Sequence, residues 1–306
     1  MAHFDPEEAA CLACGSWAGE TPGSPLNDFA FDTRLLRPGD TFVALKGSSR
    51  DGHAFLAEAA RLGALAAVVE EPDPGVELPQ LVVENSLQAL HSLAGAWREQ
   101  FASTIVGITG SFGKTTVKEL LANLLGSIWF RSPGNFNNHL GVPMSLLELD
   151  PRHHAGALIE AGINGPGEMA VLGELIQPDL AIITAVGPAH LEQLGSLDGV
   201  ADEKSVLAHC AATGADVFFP ASLLAYRAFQ RLPGHLRLHA LAEIGEAVPE
   251  AASGMENLNL YRYQWINARS SRGMGELVTR PPMSPGRFSF SAGSPGMVSN
   301  LALVAH

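Results

Sequence analysis

The stretch from Ile105 to Leu125, IVGITGSFGKTTVKELLANLL, limits the possible folds of this 306-residue chain more than any other segment. An apolar run typical of a buried strand leads into a glycine turn, and a helix pattern starts directly after it. Such a turn exposes backbone N–H groups at the positive end of the helix dipole, where polyphosphates bind. The stretch therefore predicts a strand, a phosphate-binding loop and a helix in direct succession.

The residue types in this loop suit a triphosphate. Gly110 and Gly113 permit a tight backbone, Lys114 supplies a charge for the β- and γ-phosphates, and Thr115 supplies a hydroxyl for Mg²⁺. The other members of the predicted nucleotide loop are Ser111, Phe112 and Thr116. The usual pattern has a glycine where this chain has Ile108, so a tight turn with an exposed lysine is the alternative interpretation.

Alternating strand and helix patterns predict an α/β protein with two domains. Residues 1–100 are predicted to form a small α/β domain, whose last helix is capped by Asn85 or Ser86. Residues 101–306 are predicted to form a P-loop NTPase-like central domain with a mainly parallel sheet, whose ligands bind at the carboxyl ends of the strands. After Pro220 the pattern weakens, and NLNLYRYQWINA and GRFSFSAG predict antiparallel strands.

Three further side chains bear on the predicted site. Glu160 ends the apolar run GALIE and His190 follows the run DLAIITAVG, so both are expected at the same edge of the sheet as the loop. A carboxylate and an imidazole there indicate a metal site, although strand ends often carry acids for solubility alone. Lys204 lies between acids on a helix, and its surroundings in sequence predict an ordinary solvated ion-pair partner.

Composition excludes several classes of function. The formal net charge of -13 leaves no broad basic surface for nucleic acid, so any phosphate site must be local. The N-terminus lacks a secretory pattern and no run reaches the ~20 apolar residues that span a bilayer, so we predict a cytoplasmic protein without membrane insertion. Cys11, Cys14 and Cys210 cannot form a disulfide framework, and the first two lack the second pair that a zinc site needs.

Ordered motifs in both predicted domains resemble the Mur ligases of peptidoglycan synthesis, from about residue 25 to residue 210. FDTRLLRPGDTFVALKGSSRDGHAFLAEAARLGALAAVVE is similar to the family's N-terminal domain, and GITGSFGKTTVKE to its ATP loop. IEAGINGPGEM and VGPAHLEQLGSLDGVADEKSVL are similar to its magnesium-binding stretches. GNFNNHLGVPMSLL resembles the segment that marks one branch of the family, the ligases that join D-alanyl-D-alanine to UDP-N-acetylmuramoyl-tripeptide.

This resemblance implies roles for individual residues. Residues 1–100 would bind the UDP-sugar, with Thr33 and Arg34 near the uridine diphosphate, and residues 101–306 would bind ATP. The implied catalytic residues are Lys114, His190 and Lys204. The implied magnesium site comprises Thr115, Glu160, His190 and Lys204, the last as a carbamylated lysine. Asn137 and Asn138 would lie near the UDP-sugar substrate, and Asn300 near the adenine.

The implied reaction is ATP-dependent formation of an amide through an acyl phosphate, by a monomer. It needs positioned charges, ATP and Mg²⁺ rather than a side-chain nucleophile. The family's third, C-terminal domain has no counterpart in these 306 residues, which puts complete ligation by this chain in doubt. Two alternatives therefore stay open: a catalytically silent UDP-sugar or nucleotide-binding fragment, and a related ligase acting on folate or another muramyl peptide.

Overall fold

The computed structural model describes residues 1–47, 50–267, 274–280 and 287–291. The chain divides into two compact units. Unit 1 comprises Met1–Ala102 and Pro143–His154, and unit 2 comprises Ser103–Val142 and Ala155–His306. The segment Pro143–His154, which the sequence pattern assigned to the second domain, clusters with the first unit.

Unit 1 is an α/β structure. Strands β4, β5, β6 and β7 pair in parallel, and β2 closes the edge of this sheet next to β7 in antiparallel orientation. Asn85 caps α3 as predicted, because its side-chain oxygen accepts a hydrogen bond from the backbone N–H of Gln88. The strands are β1 (His3–Phe4), β2 (Ser16–Ala18), β3 (Leu26–Asn27), β4 (Phe29–Ala30), β5 (Thr41–Val43), β6 (Ala66–Val69) and β7 (Gln80–Val82), and the helices are α1 (Pro6–Leu12), α2 (Leu56–Arg61) and α3 (Ser86–Gln100).

The strands of unit 2 form one sheet, in the order β16-β15-β14-β13-β12-β11-β8-β10-β9. The strands are β8 (Thr104–Thr109), β9 (Trp129–Arg131), β10 (Gly156–Glu160), β11 (Leu180–Ile183), β12 (Asp216–Pro220), β13 (Arg237–Glu243), β14 (Leu258–Asn267), β15 (Met274–Arg280) and β16 (Arg287–Ser291). The helices that follow α3 along the chain are α4 (Lys114–Leu125), α5 (Gly141–Leu147), α6 (Glu168–Ile176), α7 (Leu191–Leu194), α8 (Leu197–His209) and α9 (Arg227–Gln230), and α5 contains the point where the chain passes between the units.

The strands from β9 to β14 pair in parallel, so the predicted α/β class with a mainly parallel sheet is confirmed. The prediction of antiparallel strands after Pro220 was wrong in one respect. Strand β14 runs parallel to β13 and antiparallel only to β15. Alternation of apolar residues identifies a strand but carries no information on the direction of its neighbour, which explains the error.

The pairing register of β8, β10 and β11 determines where the candidate site lies. Glu160 at the end of β10 pairs with Ile108 of β8, and Ile183 at the end of β11 pairs with Thr109. Three strand ends therefore meet directly beside the loop that starts at Gly110. A core that includes Ile108, Val117 and Leu158 packs α4 against this part of the sheet, which fixes the start of the helix relative to the strand ends.

Among the helices in the described part of the chain, none has both the length and the apolar character needed to cross a bilayer.

Candidate functional site

The loop between β8 and α4 depends on two glycines. Gly110 has φ +150°, and a Cβ atom there would lie 2.0 Å from Oγ1 of Thr184. Gly113 precedes the helix with φ +88°, in the left-handed region that favours glycine. The backbone between them therefore turns tightly enough to direct the first N–H groups of α4, which have no partner within the helix, towards the loop.

Contacts to the segment after β11 hold this loop in place. The N–H of Ser111 donates to the carbonyl of Ala185 at 2.9 Å, and the hydroxyl of Ser111 accepts from the N–H of Gly187 at 3.0 Å. The hydroxyl of Thr184 donates to the carbonyl of Phe112. These contacts hold the loop in one conformation against the segment that follows β11.

Lys114 folds back over the loop, and its Nζ donates to the carbonyl of Gly110 at 2.8 Å. Burial lowers the pKa of Lys114, and the negative charge of Glu160 opposes that shift only in part. A cation held at the mouth of a glycine loop is the arrangement that binds the β- and γ-phosphates of a nucleotide.

The carboxylate of Glu160 is 1% exposed and is held from three directions. Its Oε2 accepts from the hydroxyl of Thr115 at 3.0 Å and lies 3.3 Å from Nζ of Lys118, while its Oε1 accepts from Nδ2 of Asn137 at 2.8 Å. The loop and Glu160 therefore meet at one edge of the sheet, as predicted, and Asn137 belongs to the same set of contacts. Their functional roles stay predictions.

Sequence reasoning missed two residues of this cluster, Lys118 and Ser132. Nζ of Lys118 donates to the carbonyls of Ser132 and Gly134, each at 2.9 Å. The hydroxyl of Ser132 accepts from the N–H of Glu160 at 3.2 Å. A signal for Lys118 was available, since it follows Lys114 by four positions and therefore lies on the same face of the helix.

A cavity of about 250 Å³ lies over the loop. Its lining brings together predicted residues from four segments of unit 2. These residues are Gly110, Ser111, Lys114, Asn137, Asn138, His190 and Lys204, joined by Gly162, Ile163 and Asn164. Thr115 and Glu160 are not in the lining, but Glu160 accepts hydrogen bonds from Thr115 and from the lining residue Asn137.

Lys204 is buried in the wall of this cavity, with 2% of its surface exposed. Its amino group has no hydrogen-bond or ion-pair partner among the residues that the structure describes. Burial, together with the charge of Lys114, lowers its pKa to about 8, although Glu203 partly opposes the shift. The interpretation of Lys204 as a solvated ion-pair partner was therefore wrong, because the helix turns this side chain inward.

The predicted substrate residues differ in their contacts. Asn138 accepts hydrogen bonds from the N–H groups of Leu140 and Gly141 through its side-chain oxygen, which fixes the start of α5. In unit 1, Arg34 is exposed and its guanidinium donates to both carboxylate oxygens of Asp32. This pairing lowers the pKa of Asp32 to about 2 and sets the direction of the guanidinium.

Other predicted residues fall outside the cavity lining. Thr33 lies in unit 1, in the turn that also holds Arg34. Phe112, Gly113 and Thr116 belong to the loop or the first turn of α4 without lining the cavity. Asn300 lies outside the described residues.

Comparison with known proteins matches residues 108–221 to the Mur ligase middle domain. The chain is 42% identical over 189 residues to the UDP-N-acetylmuramoyl-tripeptide--D-alanyl-D-alanine ligase of Synechocystis sp., a match that covers 60% of this chain and 41% of the relative. It is 43% identical over 190 residues to the Escherichia coli protein of the same name, covering 61% and 42%. The chain thus spans about two fifths of the length of these relatives.

Solved structures give the same result for the fold. MurF from Acinetobacter baumannii superposes with a TM-score of 0.83 at 27% identity, covering 100% of this chain and 64% of that chain. The MurF ligase of Thermotoga maritima, solved in complex with ADP, superposes with a TM-score of 0.76 at 28% identity, covering 91% and 61%. The predicted resemblance is thereby confirmed: residues 108–221 match the Mur ligase middle domain, and the chain is similar in fold to the matching part of MurF.

Proposed function

We propose that this chain is part of an ATP-dependent amide ligase that joins D-alanyl-D-alanine to UDP-N-acetylmuramoyl-tripeptide. The relatives at 42% and 43% identity carry the name of that reaction. The observation that carries the proposal is the contact set around Glu160, which joins the nucleotide loop to Asn137 at the wall of one cavity. A phosphate donor and an acceptor carboxylate need such a shared space.

The nucleotide site of the proposal is the loop from Gly110 to Gly113 together with the first turn of α4. Support comes from the ADP complex of the similar Thermotoga maritima ligase and from the unpartnered N–H groups at the start of the helix. Lys114 already lies over the loop, where its charge can meet the terminal phosphates. ATP is therefore the proposed phosphoryl donor.

The chemistry of the residues also fits Mg²⁺. The hydroxyl oxygen of Thr115 and Oε2 of Glu160 are 3.0 Å apart, so both oxygens would be available to a single Mg²⁺ ion. An oxygen set with few protein ligands suits Mg²⁺, which keeps waters and phosphate oxygens around it. His190 and Lys204 lie in the same cavity, and the proposal places them at the second metal position. When bound, Mg²⁺ would neutralise charge on the phosphates and on the acceptor carboxylate.

In the proposed reaction, an oxygen of the tripeptide carboxylate takes the γ-phosphoryl group and ADP leaves. The amine of the dipeptide then attacks the carbonyl carbon of this acyl phosphate, and phosphate leaves as the amide forms. Both steps concentrate negative charge, so the cationic Lys114 stabilises them by position. Lys204 has a pKa of about 8, so a fraction of its amino groups is neutral near physiological pH. The neutral nitrogen can attack the carbon of CO₂, and loss of one proton from the nitrogen would leave an anionic carbamate.

Asn137 and Asn138 are the proposed contacts to the substrate that carries the acceptor carboxylate. Asn137 is held between Glu160 and Gly162, since its carbonyl accepts from the N–H of Gly162 at 2.7 Å. Both asparagines line the cavity, where their polar groups can fix the UDP-sugar substrate relative to the phosphates. In unit 1, Thr33 and Arg34 are proposed to contact the uridine diphosphate.

A staged assay tests the proposal. The chain is incubated with ATP, Mg²⁺ and UDP-N-acetylmuramoyl-tripeptide, ADP release is measured, and the acyl phosphate is trapped with hydroxylamine. D-Alanyl-D-alanine is then added and the pentapeptide product is weighed by mass spectrometry. Lys114→Ala should abolish ADP release, whereas Lys46→Ala, an exposed lysine of unit 1, should not.

The outcomes separate the alternatives. Appearance of the pentapeptide supports the proposal. Nucleotide binding without ADP release or hydroxamate would identify a silent binding fragment instead. ADP release that depends on a folate or a different muramyl peptide as acceptor would identify a related ligase with another substrate.

A further inference from the structure

The least exposed lysine of the site is Lys118, whose surface is 0% exposed. A lysine is rarely buried completely unless every donor of its ammonium group is satisfied. Here the three donors face three oxygens, the carbonyls of Ser132 and Gly134 at 2.9 Å each and Oε2 of Glu160 at 3.3 Å. Lys118 therefore has no donor left for a substrate or a nucleotide.

The partners of Lys118 come from two different parts of unit 2. Lys118 belongs to α4, the helix that starts at the nucleotide loop. Ser132 and Gly134 lie in the segment that leads to Asn137 and Asn138, and Glu160 ends β10. One ammonium group thus connects the nucleotide helix, the proposed metal carboxylate and the segment that carries the proposed acceptor residues.

The contact also restricts the orientation of the carboxylate. With Lys118 and Thr115 on Oε2 and Asn137 on Oε1, rotation of Glu160 would break a contact at either oxygen. Some side chains hold a metal-binding carboxylate from the side away from the metal. Removal of such a partner typically lowers metal affinity by about 10–100-fold.

We propose that Lys118 is a positioning residue. It aims the carboxylate of Glu160 at the metal of the nucleotide complex, and it holds the segment 132–138 in contact with α4. This inference rests on the proposed function, because it assumes that Glu160 serves a metal bound with nucleotide. Lys118 itself contacts neither substrate nor phosphate.

The test measures the affinity of the 306-residue chain for ADP with Mg²⁺ and with EDTA, by isothermal titration calorimetry. The ratio of the two affinities isolates the metal contribution. In Lys118→Met this ratio should fall by about tenfold or more, while the affinity in EDTA should stay within about threefold. A purely structural role would lower the melting temperature and leave the ratio unchanged, which would overturn the inference.

Arg131→Met is the matched control. Arg131 also joins a carboxylate of α4, that of Glu119 at 2.6 Å, but this pair is exposed and does not touch Glu160. Removing it should leave the ratio within about twofold of the wild type, since exposed ion pairs contribute little. An equal fall of the ratio in Arg131→Met would overturn the inference, because the effect would then not depend on Glu160.

Lys118→Met leaves Glu160 as an unpaired buried charge, so a second comparison covers the case in which this variant does not fold. Glu160→Gln and Lys118→Met/Glu160→Gln leave no carboxylate unpaired. The inference predicts the same ratio of ADP affinity with Mg²⁺ to ADP affinity with EDTA in both variants, because Lys118 acts through Glu160. Their affinities for ADP in EDTA should agree within about threefold. A further loss of the ratio in the double variant would overturn the inference.

Failure of the proposed function gives a different result. If the wild-type chain binds ADP equally with Mg²⁺ and with EDTA, the metal site of the proposed function is absent. If the wild type shows a metal-dependent ratio and Lys118→Met keeps it, only the role of Lys118 is wrong.

Discussion

At the scale of single residues, the site places three lysines in three different environments. Lys114 is half-buried and donates to a loop carbonyl, and Lys118 is fully buried with all its donors engaged. Lys204 is also buried, and its amino group has no partner among the described residues; burial, together with the charge of Lys114, lowers its pKa to about 8. The same residue type is therefore a candidate phosphate ligand, a positioning group and a candidate nucleophile, depending on what surrounds it.

Replacement of Lys204 is expected to raise stability while it weakens the site. The pKa of Lys204 is about 8 in the folded chain and 10.5 for an unperturbed lysine, so the unfolded chain binds more protons between these values and stability rises with pH there. In CO₂-free buffer, Lys204→Met should therefore gain about 2–3 kcal/mol at about pH 7. The gain should shrink towards about pH 10, as measured by urea unfolding at both values.

Lys46→Met provides the control for this experiment. Lys46 is partly exposed and bonded to Glu70 and Glu71, which raise its pKa, so its removal should give no gain at either pH. A stability gain in Lys204→Met that is the same at both pH values would contradict the prediction, because packing rather than a buried charge would then be the cause.

At the scale of elements, two helix starts near the cavity differ in what occupies them. The start of α6 is filled by the protein itself, since the carboxylate of Glu203 on α8 accepts from the N–H groups of Gly167 and Met169 at 3.0 and 2.8 Å. The start of α4 carries a glycine loop and no capping side chain. Only the second arrangement leaves helix N–H groups for an external phosphate.

Glu203→Ala is expected to destabilise the α6–α8 pair. Two charge-assisted hydrogen bonds at a helix start are lost, so the free energy of unfolding should fall by about 1–2 kcal/mol, measured by urea denaturation. Glu174→Ala, at an exposed position of α6, is the control and should change stability by no more than about 0.5 kcal/mol. Equal losses in the two variants would show that Glu203 does not cap α6.

The sequence predicted some elements of unit 2 and missed others. The strand and helix around the loop follow from the apolar run and the periodicity between Ile105 and Leu125, and both are present. Strand β13, Arg237–Glu243, was not predicted, although it pairs in parallel with both β12 and β14. Pairing joins residues distant along the chain, so a local pattern cannot specify it.

At the scale of the whole molecule, the proposed chemistry lies within unit 2. The loop, Glu160, Asn137, His190 and Lys204 all belong to it. The chain has a formal net charge of -13, whereas the cavity lining includes Lys114 and Lys204 and, in the described part of the chain, contains no carboxylate. A polyanionic ligand is therefore expected to bind by the geometry of this site rather than by a general attraction to the protein.

Binding of MgADP is expected to protect unit 2 from hydrogen exchange. At a ligand concentration of 100 times Kd the stabilisation is about 2.7 kcal/mol, and it should slow exchange in the loop, the first turn of α4 and the segments around Asn137 and Lys204. Mass spectrometry of peptides measures this, with β5 and β6 of unit 1 as the internal reference. Equal protection of β5 and β6 would contradict a nucleotide site confined to unit 2.

The sequence by itself determined the α/β class, the glycine loop between β8 and α4 and the resemblance to Mur ligases, because these depend on periodicity and on short motifs. Only the tertiary structure decided that Lys118 closes the cluster around Glu160 and that Lys204 lines a cavity without a partner among the described residues. Both facts concern residues that meet across a fold. The solvation and pairing of a charge depend on neighbours that are distant in sequence, and the order of residues does not specify those neighbours.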